Sequence, residues 1–101
     1  MIVAELDPLI HQPLRLKIMA ALHAARHTGP IEFPRLKVLV GATDGNLGSH
    51  LATLEGAGYV RQHKDFAGRK PRTRIGLTPA GAQAFRQHVD ALRAIVAAAD
   101  T

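Results

Sequence analysis

Apolar residues at Leu14, Ile18, Ala21, Leu22 and Ala25 keep the 3.6-residue rhythm of a helix with one buried face, while Arg15, Lys17, His23 and Arg26 fall elsewhere. The pattern predicts a helix over 13–27, opened by Pro13 and stopped by Gly29-Pro30, with Asp7-Pro8 starting a short turn over 8–12 just before it. A very short strand fits 31–33. A second helix fits 34–40, with Leu36, Leu39 and Val40 apolar and Gly41 as its stop. Thr43 then suits an N-cap for a third helix over 44–57, with Asp44 near the positive end of its dipole. Leu47, Leu51 and Leu54 form the inner stripe of that helix. Asn46, Ser49, Ala52 and Thr53 lie opposite, with His50 at the boundary, and Gly58 fits the left-handed position after the helix.

Beyond Gly58 the period changes from 3.6 to 2. Thr73, Ile75 and Leu77 alternate with Arg72, Arg74 and Gly76, predicting strands over 59–66 and 72–77 joined by the tip Ala67-Gly68-Arg69-Lys70-Pro71. Thr78-Pro79 opens a last helix over 79–99, whose stripe of Phe85, Val89, Leu92, Ile95 and Val96 is wide for a terminal helix of so small a protein. Two short helices joined by Gly-Ala-Thr and followed by a hairpin make a helix-turn-helix with a wing. The expected fold is α+β, mainly α: a single winged helix-turn-helix domain over 1–101 with a two-stranded wing and a long C-terminal dimerisation helix.

Charge sharpens this reading. Between Tyr59 and Arg74 the residues Arg61, Lys64, Arg69, Lys70, Arg72 and Arg74 face one acid, Asp65, a surplus of +5 that equals the net charge of the whole chain. Everything outside the hairpin therefore sums to zero. A neutral body with one strongly positive hairpin is the electrostatic footprint of a protein that binds a polyanion. Duplex DNA suits it: a helix fits the major groove with small polar side chains in its first turns, and arginines of a hairpin reach the flanking backbone or minor groove. The residues expected on DNA are Thr43, Asp44, Asn46, Ser49, His50 and Thr53 on the helix, and Arg61, Lys64, Arg69, Lys70, Arg72 and Arg74 on the wing. His50, beside the inner stripe, fits a half-buried structural role equally well.

Composition removes other classes. With 101 residues, 47% of them hydrophobic, the chain has room for one modest core. There is no cysteine, which excludes disulfides, thiolate metal sites and cysteine nucleophiles. The histidines show no ligand spacing on one helix, so no metal or other cofactor is expected. Three Phe, one Tyr and no Trp are too few for a stacking platform that binds single strands. No apolar run reaches the ~20 residues of a membrane helix and no signal-peptide pattern opens the chain, which predicts a cytoplasmic protein that does not engage membranes. Gly-rich phosphate loops, nucleophile motifs and paired carboxylates are missing, so an enzyme is not expected.

At this point residues carry a resemblance. LGSHLATLEGAGYVRQHK is similar to the recognition-helix and strand signature of ArsR-type regulators, and GRKPRTRIGLTPAG to the wing and following helix of MarR-type regulators, where Leu-Thr-x-x-Gly begins the next helix. With TDGNL at the helix start, the chain most resembles small single-domain winged-helix regulators near MarR, over roughly residues 6–90. The resemblance implies a homodimer and repression or regulation of transcription at a pseudo-palindromic operator. The metal-sensing ArsR branch is not implied, since its cysteines are absent. Gly45, Gly48 and Gly56 depart from a good helix, Gly costing about 0.5–1 kcal/mol relative to Ala. Either the backbone there approaches DNA or the preceding helix, or the helix firms only when bound.

Leu92, Ile95 and Val96, with Val3, Leu6 and Ile10 from the other terminus, offer more apolar surface than one chain covers and are the expected dimer seam. A small-molecule effector, if the protein has one, would have to sit between the dimerising helices and the DNA-binding core. The competing reading is a winged-helix module whose hairpin addresses an acidic protein partner.

Overall fold

The structure, a computed structural model, describes residues 5–100. Its elements follow in the order α1 (Pro13–Ala24), β1 (Ile31–Glu32), α2 (Phe33–Val40), α3 (Asp44–Gly56), β2 (Val60–Ala67), β3 (Lys70–Leu77) and α4 (Pro79–Ala99). Local chemistry sets each boundary. Gln12 Oε1 accepts the Arg15 N–H at 2.8 Å, and Pro13, which has no N–H to satisfy, occupies the first turn of α1. That helix ends at Ala24, short of 27, because Ala25 leaves helical geometry and hydrogen-bonded turns carry the chain to Gly29 at φ 110°. Gly41, at φ 67°, closes α2, with the Ala42 N–H reaching back to the Lys37 carbonyl at 3.1 Å.

The three strands form one antiparallel sheet in the order β1-β3-β2, with Ile31 opposite Ile75 and the hairpin paired from Val60–Leu77 to Ala67–Lys70. The tip is tighter than the five residues expected: only Gly68 and Arg69 turn, with Gly68 at φ 67° in the first turn position. Phe66 and Pro71 remain paired beneath it. Pro71 is tolerated because β1 pairs only with Arg74 and Ile75, leaving that side of β3 without a neighbour that needs a donor.

The core forms where the helices meet the base of the sheet. Ile18, Met19, Leu36, Leu47, Leu51, Leu54 and Ile75 are all completely buried there. Ile10 joins them at 0% exposure, which corrects its expected place in a dimer seam: its side chain is spent inside one chain. Val3 lies outside the described residues, and Leu6 is half-buried.

α4 corrects a second expectation. Its buried residues are Gly81, His88 and Ala91, so the face turned inward is offset from the apolar stripe read from the sequence. Phe85, Val89, Leu92 and Ile95 are half-buried, and Val96 is 61% exposed. The helix projects past the body, and the molecule is 57 Å long against 25 and 22 Å in its other dimensions. No helix among the described residues is long and apolar enough to cross a membrane.

Candidate nucleic-acid interface

α3 sorts its residues by face. Leu47, Leu51 and Leu54 are fully buried, while Asn46, Ser49, Ala52 and Thr53 are exposed on the opposite side. Thr43 caps the helix, its Oγ1 accepting the Asn46 N–H at 3.2 Å. Asp44 is held by Lys37 Nζ at 2.8 Å, a link from α2 to the first turn of α3 that also neutralises its carboxylate. The Thr53 hydroxyl donates to the Ser49 carbonyl at 3.3 Å, leaving Asn46 and Ser49 as the side chains least committed within the protein. His50 is half-buried, with its Nδ1 3.1 Å from Arg15 Nη1, a contact that ties α3 to α1. The boundary position read from the sequence is thus a structural junction.

A side chain built at Gly45, Gly48 or Gly56 would meet nothing within 4 Å. Close packing by the preceding helix is therefore not the reason for these glycines. They leave a low, open strip of backbone on the outside of the helix.

The wing docks beside α3 through Glu55. Gln62 sits on the open edge of the sheet, and Glu55 Oε2 accepts its backbone N–H at 2.8 Å while Oε1 accepts its side-chain amide at 3.2 Å. This contact satisfies an edge donor and fixes the angle between helix and hairpin. On the outer face Asp65 lies directly opposite Arg72, which grips it with two bonds, Nε–Oδ1 at 3.0 Å and Nη2–Oδ2 at 2.9 Å. Arg74 adds a bond to Oδ2 at 2.9 Å, and Arg72 also approaches Glu32 at 3.9 Å. The Arg72 hydrogen bond holds the Asp65 carboxyl below the ordinary range, and Asp65 in turn raises Arg72.

Two of the six wing cations are therefore committed. Arg72 and Arg74, expected on DNA with the other four, are half-buried and paired with Asp65, where they brace the hairpin. Arg61, Lys64, Arg69 and Lys70 are exposed, and none of their side chains has an ion-pair or hydrogen-bond partner among the described residues. The outward charge of the wing rests on these four.

The base of the wing is anchored by long-range contacts that the sequence reading did not foresee. Asp7 Oδ2 accepts the Tyr59 hydroxyl at 2.6 Å, its Oδ1 caps the turn at Leu9, and its backbone N–H donates to His88 Nδ1 at 2.9 Å. The bond to Asp7, helped by burial, pushes the Tyr59 phenol up to about 12. Gly81 allows α4 to start where it does, because a β-carbon there would lie 2.0 Å from the Tyr59 carbonyl oxygen. Thr78 Oγ1 accepts the Gly81 N–H at 2.9 Å and itself donates to the Gly58 carbonyl at 2.6 Å. Gly81 of the Leu-Thr-x-x-Gly motif was visible in the sequence. The convergence of Asp7, Tyr59 and His88, separated by up to 81 positions, had no local signal.

Comparison with known proteins agrees with this geometry. The winged helix DNA-binding domain family matches residues 14–96. An uncharacterised protein of Methanocaldococcus jannaschii is 33% identical over 81 residues, which is 80% of this chain and 85% of that protein. A transcriptional regulator homologue from Pyrococcus horikoshii OT3 superposes with a TM-score of 0.84 at 31% identity, over 92% of this chain and 89% of that one. A MarR-family transcriptional regulator from Silicibacter pomeroyi shares the fold, with a TM-score of 0.69 at 24% identity over 85% of this chain and 55% of that one. The chain belongs to the winged helix DNA-binding domain family, with a MarR-family transcriptional regulator among its structural neighbours.

Proposed function

We propose that the protein is a sequence-specific regulator of transcription that binds duplex DNA as a homodimer and acts as a repressor by occupying its site. One observation carries this: an exposed polar helix face, led by Asn46 and Ser49, lies beside a hairpin with four uncommitted cations. α3 enters the major groove, where Asn46 and Ser49 meet base edges, Thr53 follows a turn later and the cap residue Thr43 meets a phosphate. Arg61, Lys64, Arg69 and Lys70 hold the flanking backbone and contribute affinity without direct sequence code. Because the Arg72–Asp65–Arg74 cluster braces the wing, these cations are offered from a defined position and less ordering is required on binding.

The dimer reading rests on α4. Leu92, Ile95 and the exposed Val96 lie on the projecting part of a 21-residue helix, with Leu6 as the remaining N-terminal candidate. Two copies paired there would present two α3 helices to an inverted repeat. Selection of bound sequences from a random duplex pool tests the proposal. Wild type should enrich one motif with two symmetric half-sites, and Asn46→Ala should relax one base position in each, a loss of roughly 1–3 kcal/mol on the preferred site. A pool that stays random after selection would refute sequence-specific binding.

A further inference from the structure

Phe66 is unexplained by folding. It is 67% exposed in a chain with only three Phe, and it projects from the hairpin directly opposite Pro71, one step below the Gly68-Arg69 turn. Strand alternation puts it on the sheet face that carries Val60, buried at the base of the wing, and Gln62, held by Glu55 of α3. At that exposure most of the ring is open to solvent, beyond the buried base of the hairpin. Near it are Lys64, two residues back on the same face, and Arg69 in the turn, while Lys70, opposite Ala67, leaves the hairpin on the other face; all three side chains are exposed and without an ion pair among the described residues. The nearby acid, Asp65, points to the other face and is taken up by Arg72 and Arg74.

We propose that Phe66, backed by Pro71, is an apolar wedge that enters the minor groove of duplex DNA and reads the deformability of the step it meets. The inference rests on the DNA-binding reading and deepens it by giving the wing a share in site choice. An apolar ring set among cations matches a groove with phosphates at its rims and sugars and stacked bases within. An aromatic wedge partly unstacks one step and bends the duplex, and pyrimidine–purine steps yield most readily. Preference at the flanks of the site would then arise without hydrogen bonds to base edges. A second copy of the wing is a poor occupant, because it would bring the same unpaired cations face to face.

The test uses full-length protein and a duplex enriched from a random pool, carrying end-attached dyes for bending and 2-aminopurine at the flanking step. Wild type should bend the duplex, brighten the 2-aminopurine and prefer TA or CA over GC at that step. Phe66→Ser should bind roughly 5- to 150-fold more weakly, the range expected for losing one aromatic–base contact. It should lose the bend and the flank preference, while its melting temperature and its salt slope stay at wild-type values. Phe66→Trp should retain both bend and preference. Arg69→Ala/Lys70→Ala should instead lower the salt slope, marking the electrostatic part separately. Wild-type bending and flank preference in Phe66→Ser would overturn the wedge while leaving DNA binding intact. Failure of the wild-type protein to bind any duplex would overturn both.

Discussion

Single residues at the base of the wing carry more of the structure than their chemistry advertises. His88 is 1% exposed, and its Nδ1 must be unprotonated to accept the Asp7 N–H. Burial, and then the neighbouring His11, push its pKa below the ordinary histidine value of 6.5. The unfolded chain therefore takes up a proton at higher pH than the folded one. Stability from this group is complete above about 6.5 and falls as pH drops from there through the folded pKa. His23, shifted down by burial and then Arg26, acts in the same direction. Chemical denaturation at pH 7.5 and 5.5 should show the loss, and His88→Phe should shrink that pH dependence while costing roughly 1–3 kcal/mol at neutral pH through the unpaired Asp7 N–H. An unaltered pH dependence in the variant would contradict the assignment. Gly81→Ala is the sharper test of the junction. Its β-carbon would press on a backbone oxygen that no rotamer change can move, so unfolding should become easier by at least the roughly 1–3 kcal/mol typical of overpacking.

At the scale of elements, the helices were legible because their signals are local. The Leu47, Leu51 and Leu54 stripe, the Thr43 cap and Gly41 each act within a turn or two, and α3 falls within a residue of the range they predict. The partners of Arg72 were not legible. Counting charge along the hairpin gives six cations, but only strand register reveals that Asp65 lies opposite Arg72 and ties up the side chains of both Arg72 and Arg74. The two kinds of wing cation should therefore behave differently. Lys64→Ala/Arg69→Ala/Lys70→Ala should reduce the slope of log K against log salt by up to about 0.9 per residue, if each neutralises one phosphate. Arg72→Ala should instead loosen the hairpin, seen as faster amide exchange in β3. The glycines of α3 give a further contrast. Gly48→Ala meets no neighbour and should stabilise the protein by about 0.5–1 kcal/mol. On the proposed reading it should also weaken DNA binding, because the added methyl would stand on the open face of α3 assigned there to the duplex. Unweakened binding would mean that the open strip is not a contact surface.

For the whole molecule, the apolar stripe of α4 was visible in the sequence, but its division between core and surface was not. That division depends on how the helix is rotated against α1, and the structure sets the rotation by burying His88, a polar residue that hydrophobic periodicity alone would place outside. Leu92, Ile95 and Val96 are left at the projecting end, while Ile10 is withdrawn into the core. Sedimentation at micromolar concentration should give twice the 10.8 kDa chain mass, and Leu92→Glu/Val96→Glu should give the monomer, since a carboxylate buried in an apolar seam is strongly unfavourable. The central claim, that α3 and the wing together bind a particular duplex sequence, is tested most directly by equilibrium titration. A selected duplex and a scrambled one of equal length and composition would be compared at several salt concentrations. The account predicts at least about a thousandfold preference for the selected duplex, with affinity for both falling as salt rises. Equal affinity for the two duplexes would contradict it.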